Sequence, residues 1–145
     1  MTRNLKSSPG SNNFLPLVLI VEDDDDTRLM LRYLLGIWKY RVIEAVTGEE
    51  AVRLAESTQP DVVLLDYKLP KIDGLTTARR MREQKVFNET IIIFITAHAE
   101  TSLRASALEA GSNDFFVKPI NFGELEISLK KHLQSNKKLA VKSVI

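Results

Sequence analysis

The sequence contains no cysteine. A disulfide framework and thiolate metal sites are therefore excluded, and a reducing cytoplasm is a compatible setting. An excess of charge of either sign is also missing: 20 Lys and Arg stand against 19 Asp and Glu, for a net charge of +1. The whole-chain field thus favours neither nucleic acid nor acidic substrates. No apolar stretch approaches the roughly 18–20 residues of a membrane span. Residues 1–13 carry Arg3 and Lys6 but no apolar core, so they do not read as a secretory signal. No internal repeat is present beyond an alternation of strand and helix signals.

What is there is an ordinary globular composition, 44% hydrophobic and 27% charged in 145 residues, enough for one domain with one buried core. The Ser, Gly, Pro and Asn content of residues 1–14 predicts a disordered arm. Strands are expected at 17–21, 41–45, 61–65, 90–95 and 114–117. Helix one opens near Asp25-Asp26-Thr27 and stops at Gly36. Helix two opens on the capping box Thr47-Gly48-Glu49-Glu50 and ends before Pro60. Helices three, four and five are expected at 74–83, 100–110 and 122–134, the fourth closed by Gly111. Residues 135–145 read as a basic tail.

Short apolar strands separated by amphipathic helices predict βαβ units with right-handed crossovers and a parallel sheet. Val18-Leu19-Ile20-Val21, Val62-Val63-Leu64-Leu65 and Ile91-Ile92-Ile93-Phe94-Ile95 are continuously apolar, as strands buried on both faces are. The strand with Arg41 and Glu44 reads as an edge. The fold class is therefore α/β, a doubly wound five-stranded parallel sheet in the order 2-1-3-4-5 with five helices. In such a sheet ligands gather at the carboxyl ends of the strands, near the switch point. Glu22-Asp23, Asp66, Thr96 and Lys118 stand at those ends. Three acids, a hydroxyl and an ammonium are an inventory for a divalent cation and a phosphoryl group.

Helical spacing puts Met30, Leu31, Leu34 and Leu35 on a core stripe of helix one, with Leu29 and Tyr33 on its outer flank. On helix five, Phe122, Leu125, Leu129 and Leu133 form the stripe and Ile127 lies off it. The outer residues are candidates for a partner surface. Lys130, Lys131, Lys137, Lys138 and Lys142 follow Glu126 with no further acid, a solvated basic end or a dock for an acidic partner.

Val21-Glu22-Asp23-Asp24, Leu65-Asp66-Tyr67-Lys68-Leu69-Pro70 with Asp73-Gly74, Ile95-Thr96-Ala97 and Val117-Lys118-Pro119 resemble the receiver domain of two-component response regulators. Order, spacing and strand-end placement match over residues 15–134. The resemblance implies a flavodoxin-like fold and a phosphorylation-dependent switch. Asp66 would be the phosphoacceptor. Mg²⁺ would be held by Glu22, Asp23, Asp66 and the Lys68 backbone carbonyl. Thr96 and Lys118 would bind the phosphoryl group, and Lys118-Pro119 would be cis. Thr96 and Phe115 would form the switch, although Phe115 lacks the tyrosine hydroxyl. Lys68 and His98 would tune the lifetime of the acyl phosphate. The implied partners are a sensor histidine kinase or a histidine phosphotransfer protein, and a downstream protein.

Two other readings compete. Asp23-Asp24-Asp25-Asp26-Thr27 also fits the nucleophile motif of haloacid-dehalogenase-like phosphatases, with Asp23 as nucleophile and Asp25 as general acid. Against it, the spare acid Asp66 follows strand three, and no acid pair follows strand four. Alternatively, the chain is a receiver cut from a longer regulator or kinase. The few residues past helix five favour a stand-alone protein without a DNA-binding domain.

Overall fold

A computed structural model describes the backbone of residues 15–144 and the side chains through residue 137. The residues expected to form an arm, 1–14, lie outside it. Five strands, β1 (Leu17–Val21), β2 (Arg41–Ala45), β3 (Val62–Leu65), β4 (Ile91–Thr96) and β5 (Asp114–Val117), alternate with helices α1 (Asp25–Ile37), α2 (Gly48–Thr58), α3 (Gly74–Arg82), α4 (Thr101–Glu109) and α5 (Phe122–Val144). All strand pairs are parallel, in the order β2-β1-β3-β4-β5. This is the expected architecture.

Alternation along the strands sorts the core into two layers. Leu19, Val21, Val63, Leu65, Ile92 and Phe94 face α2, α3 and α4, where Ala51, Ala55, Ala78, Met81 and Ala107 allow close approach. Val18, Ile20, Val62, Leu64, Ile91 and Ile93 face α1 and α5 and meet Leu31, Leu35, Leu125 and Leu129. Two residues assigned to core stripes lie outside: Met30 is 36% and Phe122 40% exposed. α1 needs only Leu31, Leu35 and part of Leu34 against an edge of the sheet. Phe122 sits in the first turn of α5, ahead of the layer that Leu125 begins.

Two helix ends differ from expectation. Gly36 lies inside α1, and the left-handed position falls on Lys39, at φ 71°. Lys39 N–H donates to Gly36 and Tyr40 N–H to Leu35, the paired bonds of a Schellman stop. The stop of α4 has the same pair, with Gly111 at φ +101° in the position read from sequence. α5 continues past Gln134 to Val144, so the expected tail is helical in its described part. A 3-10 turn at Lys85–Phe87, absent from the sequence reading, buries Phe87. At α2, Thr47 accepts from Glu50 N–H as expected, but Glu50 reaches back to Val46 N–H rather than Thr47.

Register then sets the site. Val21 is level with Leu65, and Leu65 with Phe94. Glu22 and Asp66 are therefore the first residues past two adjacent strands. Thr96 is level with Val117, which places Lys118 one step beyond.

Candidate phosphoryl and metal site at the carboxyl edge

The carboxylates of Glu22, Asp23 and Asp66 converge, with one oxygen of each within 4.8 Å of the others. Lys118 closes the group: its Nζ lies 2.8 Å from Glu22 Oε1 and 3.2 Å from Asp66 Oδ2. Backbone bonds hold the strand ends in place. Glu22 N–H donates to Ala45, Asp66 N–H to Val21, and Lys118 N–H to Thr96. The Lys118-Pro119 peptide is cis, as the resemblance implied. Past Asp66 the chain folds back so tightly that Gly74 N–H reaches the Tyr67 carbonyl at 2.7 Å. A Cβ at Gly74 would collide with the Asp66 carbonyl oxygen, so the glycine sets how closely α3 approaches the site.

Burial differs among the three acids. Glu22 and Asp66 are buried, while Asp23 is exposed. Burial is the main reason the Glu22 carboxyl is pushed above the ordinary carboxylate range. The Lys118 bond opposes this, the Asp66 charge adds to it, and the Asp24 N–H bond opposes it again. Burial alone would lower the Lys118 ammonium, but the bond to Glu22 and the charge of Asp66 outweigh it and hold Lys118 up. Both Glu22 oxygens are engaged, Oε1 by Lys118 and Oε2 by Asp24 N–H at 3.1 Å. An all-oxygen donor set with one exposed carboxylate suits a hard divalent cation that keeps several waters.

The site opens into a cleft of about 380 Å³ whose rim includes Lys68, Leu69, Pro70, Ala97 and His98. His98 packs edge-on to Tyr67, ring centroids 5.6 Å apart, and its Nδ1 lies 3.7 Å from Glu100. Thr96 is fully buried, and its hydroxyl oxygen accepts from His98 N–H at 3.2 Å. Phe115 is not at the rim. It is turned inward, stacked on Phe94 at 6.2 Å, with the Arg104 guanidinium 4.5 Å from its ring centre.

The remaining acids of the run have other partners. Asp24 caps α1, accepting from both the N–H and the hydroxyl of Thr27. Those two bonds pull its carboxyl below the usual range, the hydroxyl bond contributing most. Asp25 is exposed and paired with Arg28. Thr27 and Asp25 are thus engaged at the start of α1, with Asp24 and Arg28 respectively. Three residues at the site were not singled out from sequence. Arg28 donates to the Glu22 carbonyl, Tyr67 backs His98, and Arg104 covers Phe115. For Arg28 the only signal was its spacing of three from Asp25. For the other two, contact depends on how separate loops meet.

The profile of the response regulator receiver domain matches residues 18–130. Among curated proteins, the probable transcriptional regulator ycf27 of Guillardia theta is 36% identical over 126 residues, covering 87% of this chain and 48% of that protein. The alkaline phosphatase synthesis transcriptional regulatory protein PhoP of Bacillus subtilis is 35% identical over 117 residues, covering 81% and 48%. The chain spans about half the length of these curated relatives. A putative response regulator from Chloroflexus aurantiacus superposes with a TM-score of 0.79 at 35% identity, over 83% of this chain and 98% of that one. The receiver domain of sensor histidine kinase PA1611 from Pseudomonas aeruginosa, solved with a magnesium ion coordinated in its active site cleft, superposes at 0.77 with 33% identity, over 83% and 98%. With its sheet order, strand-end acids and Lys118 arranged as described, the chain belongs to the response regulator receiver domain family and is a phosphoacceptor signalling switch of two-component systems.

Proposed function

We propose that Asp66 accepts the phosphoryl group and that the domain spans residues 15–134. The observation that carries this is the Lys118 ammonium held between Glu22 and Asp66 beside the exposed Asp23. In the transfer, an Asp66 oxygen forms a bond to phosphorus as the phosphorus–nitrogen bond of a donor phosphohistidine breaks. The electron pair leaves with the imidazole, which takes a proton. Little covalent help is needed; most of the barrier is charge placement. Asp23, Asp66 and the Lys68 carbonyl would hold Mg²⁺, with Glu22 acting directly or through water. When bound, the ion offsets the crowded carboxylates and the phosphoryl oxygens. Lys118 then turns from Glu22 to a phosphoryl oxygen, and the Thr96 hydroxyl donates to another. Movement of those two loops shifts Phe115 and the surface of α4, β5 and α5, changing the affinity for a downstream protein.

The donor is a histidine kinase or histidine phosphotransfer protein in the cytoplasm. Leu29, Tyr33 and Ile37 repeat at helical spacing along α1 and are 55%, 70% and 54% exposed. This outer stripe, beginning one turn from the acidic loop, supports donor docking there. Among the described residues no helix is long and apolar enough to cross a membrane. Self-catalysed hydrolysis is slow in this reading, because Lys68 and His98 narrow the approach of water.

The test is mass spectrometry after incubation with acetyl phosphate and Mg²⁺. A single phosphoryl gain, absent in Asp66→Asn, is expected. Labelling kept in that variant but lost in Asp23→Asn would move the nucleophile to Asp23 and favour the phosphatase chemistry.

A further inference from the structure

Arg28 lies one turn into α1 with a side chain that is only 17% exposed. It points back past the start of the helix rather than outward. Nη1 donates to the Glu22 carbonyl oxygen at 3.0 Å, Nε to Glu44 Oε1 at 3.1 Å, and Nη2 to Asp25 Oδ1 at 2.5 Å. All three guanidinium nitrogens are therefore occupied. Glu44 is itself anchored, since its second oxygen accepts from Arg32 at 2.7 Å.

The bond to the Glu22 carbonyl is the consequential one. β1 ends at Val21. The Glu22 N–H still pairs with Ala45, but its carbonyl is past the ladder, and Arg28 takes it. That carbonyl shares one rigid peptide plane with the nitrogen of Asp23. Fixing the oxygen fixes the plane, and with it the position of the Asp23 Cα from which the carboxylate is presented. A path runs from the edge strand through Glu44 and Arg28 to the peptide that presents the exposed metal-site carboxylate.

We propose that Arg28 is a positioning residue for the cation site, acting by orienting the Glu22–Asp23 peptide. This rests on the reading of Asp23 as a metal ligand. A rival expectation has the opposite sign. A cation close to three carboxylates should repel Mg²⁺, so its removal should tighten binding. Geometry selects the first effect: the guanidinium is aimed at a carbonyl, and its charge is matched by Asp25 and Glu44 rather than by Asp23 or Asp66.

The experiment is calorimetric Mg²⁺ titration of the wild type, R28K, R28Q, E44Q, D23N and the D23N/R28K double variant, with circular dichroism to confirm folding. R28K keeps the charge but not the fork. It should bind Mg²⁺ about tenfold more weakly, the usual size for loss of a group that orients a ligand. R28Q should fall similarly and E44Q about twofold. In the D23N background, R28K should have little further effect, because the two act through one carboxylate. Unchanged affinity in R28K, or tighter binding in R28Q, overturns the proposal, as does a full additive loss in the double variant. If D23N itself binds as the wild type does, the metal reading falls and Arg28 falls with it. If D23N is weakened while R28K is not, only Arg28 falls.

Discussion

The two edge strands of the sheet are held by different kinds of contact. β2 is fastened by charged side chains: Glu44 pairs with Arg28 and Arg32, and Arg41 Nε donates to the Leu15 carbonyl at 2.9 Å. β5 is held chiefly by rings. Phe115 lies between Phe94 and Arg104, and one directional bond, Ser128 to Asp114 at 2.6 Å, ties it to α5. Ion pairs with forked geometry fix orientation, whereas a ring pair adds only about 0.5–1.5 kcal/mol beyond its buried area. The β2 side supports the loop that presents Asp23. The β5 side leads into Lys118. The difference predicts that the cation side stays put while any movement on phosphorylation falls on the lysine side.

The largest expected effect comes from emptying the ring stack on β5. Phe115→Ala should cost about 3–5 kcal/mol, read by urea unfolding, whereas Glu44→Gln on the other edge should cost about 1 kcal/mol or less. Equal losses would erase the contrast. Next is Asp23→Asn. Mg²⁺ should raise the melting temperature of the wild type clearly and that of the variant little, since only the native site binds the ion. Without metal the variant should be the more stable of the two, because one of three crowded charges is gone. A variant that responds to Mg²⁺ like the wild type would remove the cation side from the comparison.

A smaller change is expected from Lys68→Asn combined with His98→Glu, which replaces two side chains of the cleft rim with groups able to orient water. Decay of the phosphorylated form should accelerate severalfold. A rate that stays the same or falls would show that the rim does not gate water. Arg104→Ala sharpens the β5 side: losing one cation–π contact, worth about 0.5–1 kcal/mol, should broaden or shift the Phe115 ring resonances with β2 amides unmoved. The smallest effect is pH-linked. Glu22 has a folded value raised above the ordinary 4.5. Its favourable contribution to metal-free stability is therefore present below pH 4.5 and lost as pH rises through the folded value. Glu22→Gln should flatten that decline. An unaltered stability–pH curve would mean that burial of Glu22 carries no such penalty.

Most of the site was legible because strand-end chemistry is local. Once Val62–Leu65 reads as a buried parallel strand, Asp66 can only emerge at its carboxyl end, and the same logic places Glu22, Thr96 and Lys118. Stripe assignments were weaker. Met30 and Phe122 fit a helical period, but how wide a stripe is covered depends on the neighbour that covers it. The stop of α1 was misread for a related reason. Gly36 carries a propensity, and Lys39 accepts the left-handed conformation because the chain must turn into β2 there.

The order of elements, the parallel sheet and the identity of the converging groups were determined by the sequence alone, since hydrophobic period and handed crossovers leave few arrangements. Only the tertiary structure decided which acid is exposed, which oxygen Lys118 prefers, and that Asp24 and Thr27 satisfy each other instead of the site. It also decided that an arginine from α1 holds a peptide of the acidic loop, and that Phe115 faces inward beneath Arg104. These are distances between side chains far apart in the chain or facing away by rotamer. No local pattern encodes them, because they follow from how separate βα units pack.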